Sequence, residues 1–78
     1  GLDLIVYPNP AKNQLFIDFD EEKNWEIQLL DASMKKTNIS ISTFEVRNGI
    51  NISSLSKGIY FLVLYTDNEK IIKKVVKS

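Results

Sequence analysis

The sequence contains no cysteine and no histidine. Without cysteine, neither disulfides nor thiolate metal sites can brace so short a chain. With histidine absent too, the two commonest pairings of nucleophile and base are excluded. A serine nucleophile would need a lysine or carboxylate base in a cleft, and 78 residues leave no room for a deep one. An enzyme is not expected. An excess of charge is also missing, because ten basic and ten acidic residues cancel. That balance argues against a general nucleic-acid binder. Long apolar runs are absent: the longest, Ile59 to Tyr65, has seven residues, against roughly 20 for a spanning helix, so direct membrane insertion is not expected. No basic start followed by an apolar stretch marks a secretory signal. A first residue of Gly1 rather than methionine suggests a fragment of something longer.

What the chain does have is alternation. Apolar residues recur at spacing two or in adjacent pairs, with many β-branched side chains, which is the strand signature. Leu4 to Tyr7 is a first strand, closed by Pro8, Asn9 and Pro10. Leu15, Ile17 and Phe19 alternate with polar or outward positions in a second, and Ile27 and Leu29 continue a third from Trp25. Asp31 to Met34 reads as a hairpin turn, with the Asp31 carboxylate able to fold onto backbone N–H groups. Ile39 and Ile41 mark a fourth strand, after which the phase slips at Phe44 and Val46. Such a slip predicts a bulge or break near Ser42 and Thr43. Asn48-Gly49 is a strong hairpin signal, followed by a short strand at Ile50 and Ile52. Ile59 to Thr66 is apolar on both parities, as in a central strand covered on both faces, and Lys70 to Lys77 is the last strand. The pattern predicts an all-β fold: a small immunoglobulin-like antiparallel β-sandwich of about seven strands.

Chemistry-bearing patterns are few. Asp18, Asp20 and Glu22 alternate and could meet calcium, but the segment lacks the length and glycine of a dedicated calcium loop. No cofactor is implied. Two Asn-x-Ser sequons, at Asn38 and Asn51, fit polar positions on strand faces. Trp25, Tyr7, Tyr60 and Tyr65 could form a sugar-stacking platform or fill the core. The last strand places Lys70, Ile72, Lys74 and Val76 on one face, and Ile71, Lys73, Val75 and Lys77 on the other. Its lysines fit two uses: protecting an edge strand from unwanted pairing, or presenting a basic, partly apolar strand to a partner, as in strand addition.

The order of these pieces resembles one family. An apolar strand running into Tyr7-Pro8-Asn9-Pro10-Ala11, an alternating strand from Leu15, the segment "INISSLSKGIYFLVL" with Gly58 and Tyr60, and a lysine-bearing final strand occur together. They look like the type A C-terminal sorting domain of cargo exported by the type IX (Por) secretion system. One departure is visible: the family's Asp-x-x-Gly-Lys turn has Met34 where glycine is usual. Without a glycine there, a type I turn or a longer loop is expected.

The resemblance implies a signal rather than a catalyst. Residues 1–78 would be one sorting domain at the end of a larger protein that transits the periplasm of a Gram-negative bacterium and ends secreted or at the cell surface. The implied partners are the translocon and shuttle proteins of the outer membrane. A sortase-like cysteine peptidase then cuts before the domain, and the cargo is released or joined to anionic lipopolysaccharide. Lys73, Lys74, Val76 and Lys77 are the expected translocon contacts, while Tyr7, Pro8, Asn9, Pro10, Gly58 and Tyr60 are expected to be structural. The two prolines, which lack N–H groups and fix φ, would end the first strand and set the register of the second. The alternative is a fibronectin-like accessory or carbohydrate-binding adhesion module of a cell-surface protein. Exposed strand edges also allow a strand-swapped dimer of the isolated domain.

Overall fold

The computed structural model describes residues 4–19 and 24–78. Two three-stranded antiparallel sheets face one another. The first has the order β1–β2–β4, with β1 at Leu4–Tyr7, β2 at Gln14–Phe19 and β4 at Ile50–Asn51. The second has the order β3–β5–β6, with β3 at Glu26–Leu30, β5 at Gly58–Tyr65 and β6 at Lys70–Lys77. A short helix, α1 at Thr43–Asn48, leads into β4. The expected all-β sandwich is therefore present, built from six strands among the described residues.

Alternation decides which side chains meet between the sheets. Leu15 and Ile17 of β2, Leu29 of β3, Tyr60, Leu62 and Leu64 of β5, and Val75 of β6 are buried in one core with Leu4, Ala11, Ile50 and Ile52. Each fully buried aliphatic side chain in this set contributes about 1.5–3 kcal/mol of transfer free energy. Trp25, Ile39 and Ile41 pack against that core without being fully buried.

The segment read as a fourth strand, Ile39 and Ile41, has no ladder; beyond Lys36, which bridges Leu30, the chain is irregular up to the helix. The expected bulge near Ser42 is instead a helix start. Ser42 accepts from the Phe44 N–H, and the Glu45 carboxylate reaches back to the Ser42 N–H at 2.7 Å, completing a capping box. Asn48-Gly49 does not make a hairpin either. Asn48 ends α1, and Gly49, at φ +104°, turns the chain out of the helix beneath the Phe16 ring. A Cβ at Gly49 would sit 2.7 Å from Phe16 Cε1, so both the backbone angle and the contact call for glycine.

The Asp31 turn forms as read. Its carboxylate Oδ1 accepts from the Ser33 and Lys35 N–H groups at 2.8 and 3.0 Å, and the Met34 N–H donates to the Asp31 carbonyl. The missing glycine does not change the path, because Met34 itself adopts φ +64°. A tight turn closed by a left-handed residue is a common hairpin connection in which that last place ordinarily belongs to glycine. β5 is central as expected. Its outward face is only partly covered: Val63 is buried, whereas Phe61 and Tyr65 are half-buried and Ile59 is exposed.

Candidate functional site: the braced C-terminal strand

Pro8 and Pro10 supply no N–H, so between them only the Asn9 side chain and the backbone groups of Asn9 are free to pair in both senses. Both peptide bonds that precede the prolines are cis. The Asn9 amide lies against β6, some 65 residues away in sequence. Its Nδ2 donates to the Lys74 carbonyl at 3.1 Å, and its Oδ1 accepts from the Val76 N–H at 2.9 Å. One residue later the backbone takes over. The Ala11 N–H donates to the Val76 carbonyl and the Ser78 N–H donates to the Ala11 carbonyl, each at 2.8 Å, making a parallel bridge between Ala11 and Lys77. The side-chain amide of Asn9 thus stands where a backbone peptide of a neighbouring strand would stand. Ala11 is fully buried at this junction.

The segment therefore ends β1, as read, and also crosses from one sheet to the edge of the other. That second role had no local signal. An Asn flanked by prolines is compatible with a simple turn, and nothing near it in sequence names Lys74 or Val76 as its partner. The outer edge of β6 is closed over Lys74 to Ser78, so strand addition there is blocked.

The register of β6 on β5 pairs Gly58 with Lys77, Tyr60 with Val75, Leu62 with Lys73 and Leu64 with Ile71. Lys73 and Lys77 consequently share the inward parity with Val75. Lys73 is half-buried, and Lys77 is buried with its Nζ donating to the Ser78 carbonyl at 3.1 Å. Stems of this length lie along apolar surface while the ammonium reaches polar partners or water. Lys74 is exposed on the opposite face, where Val76 is half-buried. The lysines read together thus divide between two faces of one strand.

Gly58 opens β5 at φ +150°, and a Cβ there would meet nothing within 4 Å. Its requirement is conformational rather than a close approach. Tyr60 is buried, and its hydroxyl donates to the Ser56 carbonyl at 2.7 Å. A tyrosine near the start of a strand that ties back to the preceding corner is a recurrent brace of immunoglobulin-like sandwiches. Tyr7 lies on the outer face of β1, stacked on Phe16 with centroids 5.6 Å apart. Tyr65 lies on the outer face of the other sheet, where the neighbouring Glu26 carboxylate pushes its pKa up. The aromatics do not converge on a sugar-stacking platform.

Of the acidic run, Asp18 sits on β2, while Asp20 and Glu22 fall outside the described residues. Among the described residues no three metal-ligating side chains cluster. Asn38 is exposed in irregular chain; Asn51 lies on β4, where its Oδ1 accepts from the Ser53 N–H and hydroxyl. Among the described residues no helix is long and apolar enough to cross a membrane.

No curated protein and no solved structure matches the chain. A family model does: that of the secretion system C-terminal sorting domain, over residues 5–78. The matched span runs from β1 through the Pro-Asn-Pro segment to the end of the strand it braces, and the chain belongs to that family of sorting domains.

Proposed function

We propose that the domain is read in its folded form, with β6 and the residues on it as the part recognised. Membership of the family makes it a sorting signal for type IX secretion, and so part of a secreted or cell-surface protein of a Gram-negative bacterium. The proposal adds the finer steps. The cargo crosses the periplasm, the translocon and its shuttle proteins engage Lys73, Lys74 and Val76 while buried Lys77 holds the end of the strand, and a sortase-like cysteine peptidase then removes the domain. No catalytic step belongs to this chain. The observation that carries the reading is the family match over residues 5–78. The brace from Asn9 and Ala11 supports it physically, because a strand held on both edges is presented in one conformation.

The test is a fusion of residues 1–78 to a fluorescent reporter bearing a signal peptide, expressed in a host with this secretion system. Reporter outside the cell, retained when Lys70–Lys77 is deleted, is the expected result. Export that ignores the deletion overturns the reading. Changing Lys73, Lys74 and Lys77 together to glutamate is expected to stop export. Because Lys77 is buried, the Lys73→Glu/Lys74→Glu pair with Lys77 intact separates recognition from folding.

A further inference from the structure

The outward face of the β3–β5–β6 sheet is a regular grid. Register places Glu26, Tyr65 and Lys70 in one row and Gln28, Val63 and Ile72 in the next. Leu30, Phe61 and Lys74 form the third row, and Ile59 with Val76 the last. The face is largely apolar; Val63 at its centre is buried, and the open apolar side chains lie around it. Ile59 is 42% exposed, Ile72 47%, and Met34, on the turn beside Leu30 and Val63, 49%. Single exposed apolar residues are ordinary, but several on one face, with half-buried Leu30, Phe61 and Val76 among them, mark an interaction surface.

Two lysines border this face on its β6 side. Lys70 and Lys74 are exposed and have no ion-pair partner among the described residues. Four residues of strand separate them, about 13 Å at the usual rise, with Ile72 midway. Protection of an edge strand explains lysines on β6. It does not explain why Ile59 and Phe61, on the central strand, share their face. The outer face of the other sheet also exposes apolar side chains, Ile5 at 57% and Tyr7 at 46%, but there an acidic residue, Asp18, supplies the charge beside Ile5.

We propose that this grid is the surface by which the secretion machinery holds the domain. Its partner is a protein face with an apolar hollow for Ile72, flanked by carboxylates spaced to meet Lys70 and Lys74. The inference rests on the sorting reading above and names the face that does the work. Opposite charges at the border steer the encounter, while the apolar centre supplies the contact area.

The reporter fusion tests it. Ile72→Glu, at an exposed position, is expected to leave the melting temperature of the domain within a few degrees and to lower export at least tenfold. Ile5→Glu, also exposed but on the other sheet, is expected to leave export unchanged. Lys70→Glu/Lys74→Glu is expected to lower export about fivefold, whereas Lys70→Arg/Lys74→Arg keeps it. Should Ile72→Glu fail to fold, Ile59→Asp on the same face gives the same reading. Normal export of a folded Ile72→Glu variant overturns the proposal, as does an equal loss with Ile5→Glu. So does light scattering that finds a dimer abolished by Ile72→Glu while export persists, which would make the occupant a second copy. If the unaltered fusion stays in the cell, the sorting reading falls first and this inference with it.

Discussion

Replacing Asn9 with alanine removes a side chain that is exposed yet bonded to β6 at two points. The Nδ2 bond to the Lys74 carbonyl and the Oδ1 bond from the Val76 N–H are both lost. A net contribution of about 0.5–1.5 kcal/mol per hydrogen bond gives about 1–3 kcal/mol for the pair. Water can reach the vacated groups, so the lower half of that range, about 1–2 kcal/mol, is expected. In a domain of this size each kcal/mol moves the melting temperature by about 4–8 °C. The Asn9→Ala domain should therefore melt about 5–15 °C lower by circular dichroism. Hydrogen exchange gives the local readout: the Val76 amide should lose protection, while the Leu62 amide at the sheet centre follows only the global change. Asn9→Asp keeps one of the two bonds: a carboxylate still accepts from Val76 but cannot donate to Lys74, so at neutral pH it should melt between the unaltered domain and Asn9→Ala. An Asn9→Ala domain with unchanged melting temperature and an unchanged Val76 amide refutes the brace.

Three further outcomes are expected. Gly58→Val forces a β-branched residue to φ +150° and should cost about 1–3 kcal/mol despite the open space around it; an unchanged melt sinks this account. Met34→Gly relieves a left-handed methionine and should stabilise by about 1 kcal/mol, seen as a raised urea midpoint. Ser42→Ala should cost about 1 kcal/mol through loss of the α1 cap, with Asn48 and Gly49 amides exchanging faster. The Glu45 carboxyl is held below its ordinary value, first by the Ser42 hydroxyl and then by the Ser42 N–H. Its contribution is present above the ordinary 4.5 and is lost as pH falls through the lowered folded value. Ser42→Ala should remove that acid sensitivity of α1, measurable by amide exchange between pH 5 and pH 3 (roughly the carboxylate range).

Strands β2, β3 and β5 were legible in the sequence because each alternates or is continuously apolar over enough residues to fix its faces; β6 was legible as a strand, but its paired apolar residues among lysines left neither face cleanly apolar. The helix was not. Its six residues are too few for a 3.6-residue period and bury nothing fully, so Phe44 and Val46 read as a strand out of phase. A signal was present in Ser42-x-x-Glu45, but alternating isoleucines before it suggested a strand. Asn48-Gly49 carried a true turn signal attached to the wrong neighbour: the positive φ belongs to a helix exit rather than a hairpin. A ring as large as Tyr60 called for a hydroxyl partner, and that partner is the Ser56 carbonyl. The division of Lys73 and Lys77 from Lys74 followed from parity alone, but the burial of Lys77 needed the sandwich. The pairing of Asn9 with Lys74 and Val76 needed the whole topology, since only folding brings together groups so far apart in the chain.

That separation has a temporal meaning. Asn9 and Ala11 are made before residues 74–78 and wait for their carbonyls and amides. Contacts of such long range form late in folding as well. A copy of this chain cut short before Val76 leaves Asn9 without its partners and β6 unbraced, whatever else has been synthesised correctly. The brace can form only in chains translated through residues 74–78, and a chain lacking them is expected to stay unexported. A stop codon at Val75 should leave the reporter inside the cell and the domain open to protease. Export of that truncated fusion would show that the brace sets stability alone.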